Sequence, residues 1–100
     1  MAFNLYISKI KMKPGCLYSE KLTDIQEFYS DGMRCTPPGW YSVEVVWTHL
    51  LKSPWKPIHL NVYPYPYLIP AKTADGVIYI RSTVENSMRD HIFDLPREEA

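Results

Sequence analysis

A surplus of charge of either sign is what this sequence most plainly lacks. Its 11 Lys and Arg residues are matched by 11 Asp and Glu. A formally neutral chain has no basic field of the kind that drives non-specific nucleic-acid binding, so no nucleic-acid partner is expected, although the count leaves a local basic patch open. Cysteine is scarce. Cys16 and Cys35 form no Cys-x-x-Cys pair, and His49, His59 and His91 form no His-x-x-x-His pair, which argues against a structural metal site. No metal and no cofactor is expected. Long apolar runs are also missing, because charged residues or prolines interrupt each one before it reaches spanning length, and no membrane partner is expected. The opening residues Met1-Ala2-Phe3-Asn4-Leu5 have neither the basic region nor the apolar core of a signal peptide. The expected location is therefore the cytoplasm, where both thiols stay reduced and a Cys16–Cys35 disulfide is disfavoured. There is no Gly-rich phosphate loop, no Gly-x-Ser-x-Gly elbow and no convergent acid–base pair. A Cys–His nucleophile pair stays open, since such partners are distant in sequence. The simpler reading has both thiols filling small apolar gaps. The expectation is a protein that binds rather than an enzyme.

Aromatic residues are plentiful. They make up 14% of the 100 residues, with eight Tyr and three Trp. A chain of this length holds one domain and buries a smaller share of its surface than a large enzyme. Amphipathic rings left outside favour interfaces and ligand sites, so a homo-oligomer is expected.

The elements read as follows. Phe3, Leu5 and Ile7 alternate, and then Ile10 and Met12 do so in shifted phase. This predicts a strand over 3–12 with a bulge near Ser8. Leu22, Ile25 and Phe28/Tyr29 recur at helical spacing, predicting an amphipathic helix from Ser19, its cap, to Asp31, with Gly32 ending it. Pro37-Pro38-Gly39 is a loop. Trp40–Trp47 reads as a Val- and aromatic-rich strand, His49–Pro57 as a loop and Ile58–Tyr63 as a further strand. Tyr63-Pro64-Tyr65-Pro66-Tyr67 reads as edge or loop. Ala74-Asp75-Gly76 is a hairpin turn leading into a strand over Val77–Ser82. A short helix over Thr83–Ile92 and a polar tail follow. This is an α+β pattern: an antiparallel sheet with one packed amphipathic helix and a short C-terminal helix.

Arg34, Lys72, Arg81 and Arg89 lie near turns or element ends. They are candidates for gripping phosphate, with solvated surface charge as the plainer role of any one. Trp40, at a loop-to-strand junction, is either core or a stacking platform for a base.

The order of these features carries a resemblance. Leu22, Ile25 and Tyr29 precede Gly32; Gly39-Trp40 follows; Lys72-Thr73-Ala74-Asp75-Gly76 comes much later. This resembles the second family of phage anti-Thoeris proteins, small sponges that sequester the cyclic ADP-ribose signal of a bacterial TIR-domain defence system. The match covers about residues 20–93, as a core between an N-terminal strand extension, 1–19, and a polar tail, 94–100. The resemblance implies a phage-encoded protein that binds a cyclic nucleotide without cleaving it and forms a homotetramer in the infected host. It implies that Trp40, beside Gly39, stacks on a purine. It also implies that Thr73, Asp75, Ser82 and Asp90 lie at the ligand, with Arg34, Arg81 or Arg89 at its phosphates. The sequence departs from the family pattern. Pro37 stands where the family has Arg before Gly-Trp, with Arg34 a little upstream, Ile80-Arg81 where it has Pro-Trp, and Asp90-His91, or the stretch near Phe93, where it closes on Asp-Trp. A shared fold does not by itself carry function. The rival reading is a small protein that inhibits or adapts a host protein through the Tyr/Pro/Trp surface from Trp55 to Tyr67.

Overall fold

The first strand, β1 (Leu5–Met12), organises the molecule. The computed structural model describes residues 5–31, 37–53, 57–63, 65–82 and 90–100. Along β1, Ile7, Ile10 and Met12 are buried. The phase slip is a bulge, because the pairing to the next strand shifts between Ile7 and Lys9 and passes over Ser8. The extra residue lets one strand turn Ile7 and Ile10 toward the same core although three positions separate them.

Residues 22–31 differ from the helix expected there. A single 3-10 turn, Leu22–Asp24, leads into β2 (Ile25–Ser30), antiparallel to β1. Ile25, Phe28 and Ser30 face the core. Ser19 caps no helix; its hydroxyl donates to Asp24 at 2.6 Å. Over so few residues, Leu22, Ile25 and Phe28 suit a period of 3.6 about as well as a bulged period of 2, and a paired neighbour decides the matter. The expected helix end, Gly32, lies outside the described residues.

The reverse error holds for the next segment. The strand at Trp40 stops early: β3 (Gly39–Ser42) pairs antiparallel with β2, and residues expected to be strand and loop form the one α-helix among the described residues, α1 (Val43–Lys52). Ser42 caps it by accepting from the Val45 N–H at 3.3 Å. Glu44 lies near the positive end of the dipole and Lys52 near the negative end. Val43, Val46 and Leu50 form the buried stripe at helical spacing. Three valines and a tryptophan made the segment look like strand; the cap and the stripe outweigh that propensity.

Two short strands share the other edge of β1. β4 (Ile58–Leu60) runs parallel to residues 5–7 of β1, and β7 (Arg97–Glu99) runs parallel to residues 10–12. The main sheet is therefore mixed, in the order β3-β2-β1-β4 with β7 beside β1, rather than purely antiparallel. β5 (Leu68–Lys72) and β6 (Ile78–Ser82) form a separate antiparallel hairpin. Its turn falls where Ala74-Asp75-Gly76 marked it; Gly76 has φ +90°, a left-handed value glycine adopts without strain. The helix packs against this hairpin and against β2 and β3, and Trp47 Nε1 donates to the Ala71 carbonyl at 3.0 Å. The architecture is α+β: seven strands and one main helix among the described residues.

Segments near both ends of the described chain join the main sheet. The segment read as an extension supplies the central strand. The segment read as a tail supplies β7, and its Arg97 guanidinium donates to the carbonyls of Leu17 and Ser19 at 3.1 and 2.9 Å and pairs with Glu20 at 3.1 Å. Where a short C-terminal helix was expected, residues 83–89 lie outside the described set, and a 3-10 turn, His91–Asp94, follows and buries Ile92 and Phe93. No helix among the described residues is long and apolar enough to cross a membrane.

Candidate functional site

Alternation along a strand sends every second side chain away from the core. On the face of the main sheet opposite the buried stripe, this sets out a row across three strands. Lys9 of β1 pairs in register with Tyr29 of β2, and Tyr29 with Trp40 of β3. The rings of Tyr29 and Trp40 meet edge to face, with centroids 5.4 Å apart. The Lys9 ammonium lies 4.9 Å from the centre of the Tyr29 ring, and that of Lys11 4.4 Å from the centre of the Trp40 ring. Lys11 also pairs with Glu27 at 3.3 Å. Trp40 is half-buried, so it is neither core nor free. The arrangement offers what a nucleotide needs: a π surface for a base and ammonium groups for a phosphate.

A second aromatic group occupies the other end of the same face. Tyr6 and His59 are register partners with rings 5.6 Å apart, and His59 lies 4.7 Å from Tyr67. Tyr65 stands edge to face with both Tyr6 and Tyr63. Its backbone is left-handed, at φ +58°, a conformation costly for a bulky residue. The turn is held by the Tyr65 N–H donating to the Val62 carbonyl at 2.7 Å and by His59 Nδ1 donating to the Tyr65 carbonyl at 3.0 Å. Tyr63, Tyr65 and Tyr67 remain 81%, 50% and 52% exposed. Their prolines explain this: a chain without those N–H donors is confined to a sheet edge.

The residues expected at a ligand do not converge. Gly39 and Trp40 lie on β3. Thr73 and Asp75 lie at the β5–β6 turn, where Thr73 Oγ1 accepts from the Val77 N–H at 3.0 Å and closes the hairpin. Arg81 is half-buried on β6. Ser82 and Asp90 do come together, with the half-buried Asp90 closing over the serine. Ser82 is fully buried, its N–H donates to Asp90 Oδ2 at 2.9 Å and its hydroxyl to Oδ1, and Asp90 also accepts from the Ile92 N–H at 2.9 Å. This carboxylate is occupied by a cap and a clamp. Arg34 and Arg89 lie outside the described residues, as do Cys35, Trp55 and Pro64. Cys16 is half-buried against the core, as the gap-filling reading expects.

Three clefts lie elsewhere. One of about 400 Å³ opens between Leu50 at the end of α1 and Tyr67–Pro70. One of about 350 Å³ lies between Lys13, Gln26, Glu44 and Val77. The smallest, about 100 Å³, lies between α1 and the sheet, with His49 in its wall; the buried His49 Nε2 has no hydrogen-bond partner among the described residues. None of the three is lined by Gly39, Trp40, Thr73, Asp75, Arg81, Ser82 or Asp90. Of the residues grouped on this sheet face, sequence reasoning singled out Trp40 and not Tyr29, Lys9 or Lys11. Strand alternation from β1 was the signal that would have found the two lysines. Tyr29 stayed hidden as long as its segment was read as helix.

Comparison of the chain with protein-family models, with curated proteins and with solved structures finds no match in any of the three.

Proposed function

We propose that this protein acts by binding a cyclic nucleotide signal on the open face of its main sheet and holding it without cleavage. Trp40 stacks on the base, Tyr29 braces the indole, and Lys9 and Lys11 meet the phosphates. The observation that carries this reading is the Lys11 ammonium 4.4 Å over a half-buried Trp40 ring. A base entering there takes over the π contact and frees the ammonium for its phosphate. Sequestration follows by mass action: affinity and copy number lower the free signal, and turnover is not needed. The anti-defence role in a phage-infected cell rests on the sequence resemblance. So does assembly into a homo-oligomer, tetrameric in that family, and light scattering is expected to give a mass above one protomer at tens of micromolar.

The test is Trp40→Ala. Loss of base stacking removes about 1–3 kcal/mol of binding, or roughly fivefold to more than a hundredfold in affinity. Because the indole stands outside the core, the melting curve stays close to that of the parent. Titration with cyclic ADP-ribose isomers and cyclic dinucleotides reads the affinity, and ligand released by heat is expected intact. A parent protein that binds none of them at micromolar concentration overturns the reading.

The exposure of Tyr63, Tyr65 and Tyr67 favours a second reading, a protein partner docked on that arc. Under it, Tyr63→Ala abolishes inhibition of the partner and leaves nucleotide titrations unchanged.

A further inference from the structure

The outward face of the main sheet carries two ring clusters with Lys9 between them. Trp40 and Tyr29 form one, and Tyr6, His59 and Tyr67 the other. Both lie on one face. Tyr6 precedes buried Ile7 and Lys9 precedes buried Ile10, so each points away from the core, and the bulge at Ser8 restores the alternation between them. In the order β3-β2-β1-β4, three interstrand gaps separate Trp40 from His59. At about 4.8 Å per gap this is about 14 Å across the sheet, with Lys9 between.

A single nucleotide seated on Trp40 reaches one cluster and leaves the other bare, whereas a short chain of nucleotides reaches both. We infer that this band is a track for a single-stranded nucleic acid, whose bases stack at the two clusters while Lys9 meets a phosphate between them and Lys11 one beyond Trp40. The inference rests on the stacking role given to Trp40 and goes beyond that reading by adding a second, linear ligand of the same face. Open sheet faces bind single strands in this way, with two or three bases stacked on exposed rings. A net charge of zero takes away the positively charged groove that usually accompanies stacking, so base stacking carries most of the affinity. Glu27 is paired to Lys11, and Glu98 stands beside Lys11 in the β1–β7 register, so the electrostatic share is small. With two phosphates met, log affinity falls with log salt at a slope of about −1.4, far shallower than for a basic groove.

The test is fluorescence polarisation of a labelled hexathymidylate with the full chain at low salt, competed by thymidine monophosphate and by a cyclic dinucleotide. Expected are at least tenfold tighter binding of the hexamer than of the monophosphate, the shallow salt slope, and a loss of about fivefold or more in Trp40→Ala and, separately, in Tyr67→Ala. Tyr67 is exposed, so its truncation leaves the fold intact. For the monophosphate, Tyr67→Ala is expected to change nothing. A hexamer that binds no tighter than the monophosphate, or that ignores Tyr67→Ala, overturns the track and leaves single-nucleotide binding at Trp40 standing. Failure of every nucleotide to bind overturns both.

Discussion

Phe28→Ala is expected to cost about 3–5 kcal/mol, the largest loss of any single truncation considered for this protein. Phe28 is fully buried at the centre of β2, with Ile10 of β1 and Tyr41 of β3 as its register partners. Removing the ring leaves a cavity between sheet and helix that rigid strands cannot close. Domain stabilities run to about 5–15 kcal/mol, so the variant is expected to melt far below the parent or to be unfolded at 37 °C. Tyr29→Ala is the informative control. Tyr29 stands on the opposite face, and its truncation is expected to lower stability by no more than about 1 kcal/mol, the scale of one cross-strand aromatic pair. On the helix first expected here, the two neighbours would share one buried face and cost similar amounts. Chemical denaturation of both variants separates the alternatives, and equal losses would refute the strand.

Asp90→Ala is expected to cost roughly 2–4 kcal/mol. One carboxylate satisfies the Ser82 N–H, the Ser82 hydroxyl and the Ile92 N–H. Each buried donor left without a partner costs about 1–3 kcal/mol, with relaxation and water entry reducing the sum. Asp90→Asn keeps one acceptor oxygen and is expected to recover part of the loss. The prediction separates a structural clamp from a ligand contact. Protein that remains folded is expected to bind nucleotide with parental affinity, whereas a loss of affinity at unchanged stability would return Asp90 to the ligand.

Trp40 and the hairpin turn were legible in the sequence because each depends on chemistry local to it. An indole at a loop-to-strand junction and a Gly where left-handed backbone is needed carry their meaning in a few residues. Lys9 and Lys11 were visible as the polar half of an alternating strand, but not as ring partners. The rings above which they sit arrive from β2 and β3, and one of those strands had been read as a helix.

The exchange of helix and strand has a common cause. From Leu22 to Ser30 and from Trp40 to Lys52, short apolar patterns fit either period. The choice fell to contacts with residues far away in the chain: β1 for the first segment, the β5–β6 hairpin for the second. The same holds at the C-terminus, where Arg97–Glu99 look polar and solvated until β1 offers them a parallel edge. By itself the sequence determined the α+β class, the bulge at Ser8, the turn at Gly76 and the place of Trp40 at the start of a strand, because these follow from alternation, backbone sterics and residue type within a short window. Only the tertiary structure decided which segment is the helix, that residues 5–12 and 97–99 join the main sheet, that Asp90 clamps a buried Ser82, and that Trp40 shares a face with two lysines. Strand pairing is a non-local interaction, and its free energy is set by partners that no local window contains.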